Sequence, residues 1–265
     1  MERLKVFKKS IKHIILLLCF TNASLAGNVS KQEEARKFYN EGIKLSTEKK
    51  YEDSISAFNK AIGLYPKFMK AYYAKSNIFA ILNNHDLVIK TCDDALSLNN
   101  KQPRILAQKA FALYTLKRYQ DSFNTAKLSV KYGEKLPISY IARANAYATL
   151  GNFELAVMDY DKALSLVNNS NHSSLDETYL NRFCPLYKLK RYDEALATCN
   201  KALEVTDNPN KLPQIYSKKA LVLNQLDKHE EALENAKKAL KIDAKDPLGI
   251  SEKKTAESKL KNGFF

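Results

Sequence analysis

The chain has 265 residues, with 43 lysines and arginines against 29 aspartates and glutamates, a formal charge of +14 at pH 7. Seven scattered glycines form no phosphate-cradling loop, and four histidines show no metal-ligand spacing. A basic excess of this size attracts polyanions, but acids are interleaved throughout and no arginine-rich cluster occurs, which points away from nucleic acid as the partner.

Residues 1–26 read MERLKVFKKSIKHIILLLCFTNASLA. Arg3, Lys5, Lys8, Lys9 and Lys12 precede an apolar run from Ile14 to Phe20, and Ser24 and Ala26 supply the small residues of a cleavage site. That pattern predicts a secretory signal peptide cut before Gly27. The run of seven apolar residues falls far short of the roughly 20 that a membrane span needs. Without residues 1–26 the chain carries 38 basic and 28 acidic residues, a charge of +10.

From residue 35 onward the chain repeats itself. KKYEDSISAFNKAI at 49–62 returns as KRYDEALATCNKAL at 190–203. The aromatic or histidine that opens the phrase recurs as Tyr51, His85, Tyr119 and Phe153 at a spacing of 34, then as Tyr192 and His229 after 39 and 37 residues. Six copies follow: 35–68, 69–102, 103–136, 137–170, 176–209 and 213–246. Each copy shows helical periodicity twice. In the fourth, Tyr140, Ala144 and Tyr147 share one face, and Phe153, Ala156, Tyr160, Ala163 and Leu164 share another, with Gly151-Asn152 breaking the helix between them. Residues 247–265 begin with a helix-starting proline and are mostly charged, which predicts a capping helix and a frayed end.

One helix–turn–helix per 34 residues resembles the tetratricopeptide-repeat (TPR) family. The residues match. Small ones stand where two helices approach: Gly42, Ser76, Ala110 and Ala144 on the first helix, and Ser54, Ala156, Ala195 and Ala232 on the second. A bulky or apolar residue follows at Phe58, Cys92, Tyr160 and Cys199, then a small one at Ala61, Ala95, Ala163, Ala202 and Ala239. No copy has the family's tryptophan; Phe38, Tyr72, Leu106, Tyr140, Tyr179 and Tyr216 occupy its place. Phe183 stands where the fifth copy should have a small residue. The resemblance implies an all-α, right-handed α-solenoid of stacked helix–turn–helix repeats over residues 27–246, in which each hairpin buries its apolar face only against its neighbours.

In that family the first helix of each unit lines a concave groove. The resemblance maps the groove onto Tyr39 and Ile43, Tyr73 and Asn77, Phe111 and Tyr114, Ile141 and Asn145, Cys184 and Tyr187, and Leu221 and Asn224. Aromatics supply apolar contact and amides can bond a peptide backbone, so the mix suits an extended peptide. The same register points Cys184 toward the groove and Cys199 into the stack, against a bridge between them. The clamp that some relatives use for acidic chaperone tails is not matched, because Tyr39 and Ile43 stand where it needs lysine and asparagine. A second recurring position carries Lys75, Lys109, Arg143, Arg182 and Lys219, which predicts a basic rung along the array.

The sequence therefore predicts an exported, non-enzymatic scaffold with a protein or peptide partner. It predicts no cofactor, no metal and no small-molecule substrate, with membrane contact peripheral at most. Two alternatives carry the same residues to other uses: a periplasmic chaperone-like receptor for unfolded segments, and an electrostatic binder of anionic lipid or another polyanion. The longest break between copies, Asn168–Leu175, predicts a flexible joint between copies 1–4 and copies 5–6.

Overall fold

The computed structural model describes residues 29–167 and 175–262. The predicted signal peptide at 1–26, most of the 168–175 break and the last three residues lie outside them. The described residues form thirteen α-helices and no strand, an all-α helical repeat fold. They are α1 (29–47), α2 (Tyr51–Leu64), α3 (Met69–Ile81), α4 (His85–Leu98), α5 (Pro103–Thr115), α6 (Tyr119–Tyr132), α7 (Pro137–Thr149), α8 (Phe153–Ser165), α9 (Leu175–Lys188), α10 (Tyr192–Val205), α11 (Leu212–Gln225), α12 (His229–Ile242) and α13 (Pro247–Asn262). The contacts divide the chain into two compact units, residues 1–108 and 109–265.

Both units use one turn. Its left-handed residue is Lys49, Asn83, Lys117, Gly151, Lys190 or Asp227, with φ between 54° and 60° at the five non-glycines and 80° at Gly151. The following N–H reaches back five residues: Lys50 to Leu45, Asn84 to Phe79, Arg118 to Leu113, Asn152 to Tyr147, Arg191 to Leu186 and Lys228 to Leu223, at 2.8 to 3.0 Å. This Schellman closure satisfies carbonyls that the helix end leaves open and starts the next helix two residues later. Only Gly151 announces such a turn in the sequence. Elsewhere lysine, asparagine and aspartate hold a conformation that costs an L-residue roughly 1–2 kcal/mol.

The small-residue slots carry the packing. Ser54, Val88, Ser122, Ala156, Ala195 and Ala232 are buried, as are Ala61, Ala95, Ser129, Ala163, Ala202 and Ala239. Close approach also permits a bond between helices: the Ser54 hydroxyl donates to the Gly42 carbonyl and the Ser122 hydroxyl to the Ala110 carbonyl, both at 2.8 Å. Phe58, Cys92, Tyr160 and Cys199 share one slot and are at most 2% exposed. Their volumes differ, and the facing helix compensates. A Cβ on Gly42 would sit 2.6 Å from the Phe58 ring. In the fifth hairpin the large group is Phe183, buried in one cluster with the smaller Cys199.

In the unit 109–265, α7 packs on α6 and α8, α9 on α7, α8 and α10, and α11 on α10, α12 and α13. Helices on both sides of the 168–174 segment thus touch directly, and the division of the chain falls at 108/109, not at the joint predicted from the break. The extra residues before the sixth copy have a task. Asn210 and Lys211 join Pro209 in a short 3₁₀ turn, Pro209–Lys211, whose Lys211 ammonium donates to Asp176 Oδ1 at 2.9 Å. The Thr206 hydroxyl donates to Asp176 Oδ2 at 3.0 Å. Burial works against the Asp176 charge, but Lys211, Thr206 and the Glu177 N–H outweigh it and hold the carboxyl below its ordinary range. α13 caps the array with Ala256 and Glu252, both buried.

Candidate functional site

Each first helix presents two sides. Residues two apart on a helix point nearly opposite ways, and that separates the two recurring sets. On α7, Arg143 turns to the second helix of its own hairpin and grips Asp159 with two bonds, Nε to Oδ2 at 2.6 Å and Nη2 to Oδ1 at 2.8 Å. On α9, Arg182 reaches Asp161 Oδ1 at 2.7 Å and Thr198 Oγ1 at 2.5 Å. Lys75 is half-buried, and burial pushes its ammonium below the ordinary lysine range against the pull of Asp94. Lys109 and Lys219 are half-buried too. The basic rung is therefore no row of free charge: its two arginines are consumed by acids and a hydroxyl of the second helices.

The other side carries the groove set. In the unit 1–108, Tyr39 packs against the Phe58 and Phe68 rings at 5.8 and 5.1 Å, Ile43 is exposed, and Tyr73 and Asn77 are half-buried. In the unit 109–265, Phe111 and Ile141 are half-buried, and Tyr114 is exposed beside Tyr119 at 5.8 Å. Tyr187 stacks on Phe183 at 5.8 Å. Leu221 is half-buried and Cys184 is exposed. Asn224 departs from this set. It is 6% exposed beneath α13, its Nδ2 donating to the Glu252 backbone carbonyl at 3.1 Å and to Glu252 Oε2 at 2.9 Å, while its Oδ1 lies 3.2 Å from His229 Nδ1. The last groove amide is spent on fastening the cap.

Asn145 is held differently. The buried Tyr160 of α8 sends its hydroxyl through the hairpin to donate to Asn145 Oδ1 at 2.5 Å. Burial pushes the Tyr160 phenol up, so it stays a donor at any physiological pH. With its oxygen engaged, Asn145 keeps Nδ2 without a partner among the described residues, a pre-aimed donor on the first-helix side. The sequence reading treats Tyr160 as core alone. The missed signal is the pairing of Tyr160 with Asn145; the second hairpin has Asn77 at the same position, but Cys92 in the slot cannot reach it with a hydroxyl.

Lys218 of α11 also escaped the sequence reading. Its ammonium lies 3.5 Å from Cys184 Sγ and 4.7 Å above the Phe183 ring. It places a cation beside the exposed thiol and joins α9 to α11 on the groove side. Its counterparts Gln108, Ala142 and Asn181 are uncharged, which is the clue that was available. Cys184 and Cys199 are unbridged, and burial pushes the Cys199 thiol up to about 12, with Lys218 and Lys219 pulling the other way.

Models of the tetratricopeptide repeat match residues 138–169 and 186–245, and the helical hairpins there are tetratricopeptide repeats. Among curated proteins, the dynein axonemal assembly factor 4 of Pongo pygmaeus is 28% identical over 130 residues, which are 48% of this chain and 30% of that protein. The match spans less than a third of that relative's length. Among solved structures, the APC/C Cut9–Hcn1 hetero-tetramer contains a chain that superposes with a TM-score of 0.75 at 20% identity, covering 84% of this chain and 43% of that one. The Pseudomonas aeruginosa pilF structure superposes with a TM-score of 0.70 at 14% identity over 87% of this chain and 99% of that one. These structural likenesses speak for the fold.

Proposed function

We propose that this chain is a non-enzymatic scaffold of six tetratricopeptide repeats that holds an extended segment of a partner protein against the first-helix side. The observation that carries the reading is the Tyr160–Asn145 bond, which holds a backbone-seeking amide one helical turn from the half-buried Ile141 of α7. A donor oriented before binding spares the entropy of ordering it on contact. Phe111, Tyr114 and Tyr187 supply apolar area on the same side of their helices; in residues 1–108, Tyr39 and Tyr73 stand in the register of Ile141, and Asn77 in that of Asn145.

The same proposal takes residues 1–26 as an export signal, on their basic start, short apolar core and small-residue cleavage site. The scaffold then works outside the cytoplasm, in the periplasm or beyond. N-terminal sequencing of the protein recovered from its host tests this: a first residue of Gly27 supports it, and an intact Met1 overturns it.

The groove is tested by affinity capture with the full chain and with a variant carrying Asn145→Ala, Tyr114→Ala and Tyr187→Ala, both checked for equal helicity. A protein retained by the first and lost with the second, and displaced by a peptide cut from its own sequence, supports the reading. Equal retention by both overturns it. Binding that collapses in high salt would instead favour the polyanion alternative.

A further inference from the structure

A second site lies against the Arg143 side of α7, which points away from Asn145. Between α6 and α8, over the start of α7, the fold leaves a cavity of about 1110 Å³. Lys127 and Lys131 of α6 and Lys135 of the α6–α7 loop line one wall, and Lys162 of α8 lines the other. All four are exposed, and none pairs with a carboxylate among the described residues; Lys131 lies over the Tyr132 ring at 5.7 Å. The floor is apolar, from Leu128, Tyr140 and Leu166. Arg143 borders the cavity already neutralised by Asp159, and Glu134 is its single lining acid. Tyr140 donates to the Glu134 carbonyl at 3.0 Å and so fixes the loop that carries Lys135.

We infer that this cavity binds an extended acidic peptide segment, independently of the groove. Three features lead there. The positive charge is concentrated and uncompensated, so a carboxylate gains from every lysine. Lys127 and Lys131 stand four residues apart on α6, a rise of about 6 Å, and Lys135 follows in the loop. In an extended chain every second side chain falls on one side, about 6.6 Å apart, so two alternate acids keep step with Lys127 and Lys131. Side chains between those acids meet Leu128, Tyr140 and Leu166. A compact anion would use one or two of the lysines and leave the apolar floor empty.

The sixth hairpin supplies an internal control. Lys237, Lys241 and Lys245 stand in the register of Lys127, Lys131 and Lys135, but the α13 cap follows α12 and, among the described residues, no second helix comes after it to build the opposite wall. The probe is a short fluorescein-labelled peptide alternating glutamate and leucine, titrated with the full chain and read by anisotropy. Changing Lys127, Lys131 and Lys135 to glutamine is expected to weaken binding about tenfold or more. The same change at Lys237, Lys241 and Lys245 removes equal charge and is expected to leave affinity within about threefold. Lys162→Gln, on an exposed side chain of the far wall, should weaken binding by itself, with helicity unchanged.

Equal losses from the two triple variants would mean bulk charge and overturn the proposal, as would no binding by the wild-type chain. Displacement by inorganic polyphosphate at lower concentration, with the same lysine dependence, would also overturn it in favour of phosphate. Asn145→Ala should not alter the titration, so failure here and failure of the groove reading remain separable.

Discussion

The first and fifth hairpins fill the same space in opposite ways. In the first, Gly42 on α1 yields to Phe58 on α2; in the fifth, Phe183 on α9 fills the space and Cys199 on α10 gives way. Between these two hairpins it is the joint volume that is kept, not the size at either position. A hairpin interior is packed as tightly as a crystal, so volume missing from one side must appear on the other. The phenylalanine that breaks the family pattern at 183 is thus a working core residue, 2% exposed.

The largest expected effect breaks the fifth hairpin. Phe183→Ala has no neighbour to fill the space and should cost about 3–5 kcal/mol in denaturant unfolding. The first hairpin gives the sharper test. Gly42→Phe alone should destabilise by about 1–3 kcal/mol or more by overpacking, and adding Phe58→Cys should recover most of the loss because it recreates the fifth hairpin. A double variant no more stable than the single would dissolve the comparison.

The turns offer a gentler contrast. At Gly151 an added Cβ meets nothing within 4 Å, so Gly151→Ala tests backbone strain alone and should cost about 1 kcal/mol. Lys117→Gly in the neighbouring hairpin should stabilise by a similar amount, about 1 kcal/mol, read as a shift in thermal midpoint.

Acid separates the fifth hairpin from the rest. The Asp176 carboxyl is held below its ordinary range in the folded state, so its contribution is complete above the unfolded value of about 4 and fades as pH falls through the lower folded one. Stability measured from pH 5 to pH 2 should fall less steeply in Asp176→Asn than in the wild type. The smallest perturbation is chemical: a thiol reagent near neutral pH should label exposed Cys184 well before Cys199, whose thiol is buried and pushed up to about 12.

The helices were legible because helical spacing and small-residue slots repeat, and repetition makes a weak local signal strong. The turns were legible at Gly151 alone, since lysine at Lys49, Lys117 and Lys190 gives no hint of a left-handed backbone; register was their only mark. The candidate site was legible in outline and hidden in its connections. Arg143 and Arg182 looked like free cations because Asp159 and Asp161 lie 16 and 21 residues away in sequence. Asn224 looked open because its cover, Glu252, belongs to a helix outside the repeat pattern. Tyr160 looked wholly internal because a slot position tells where a ring goes and not where its hydroxyl ends.

The three-residue turn also governs how such a chain can change length. An extra residue between Lys117 and Tyr119 would rotate α6 by about 100° about its axis and swing Ala126 out of the core. The five and three additional residues this chain has acquired both fall between copies, not at a bend within one. A gene of this kind is free to grow at its joints or by whole cassettes, and is locked at its bends.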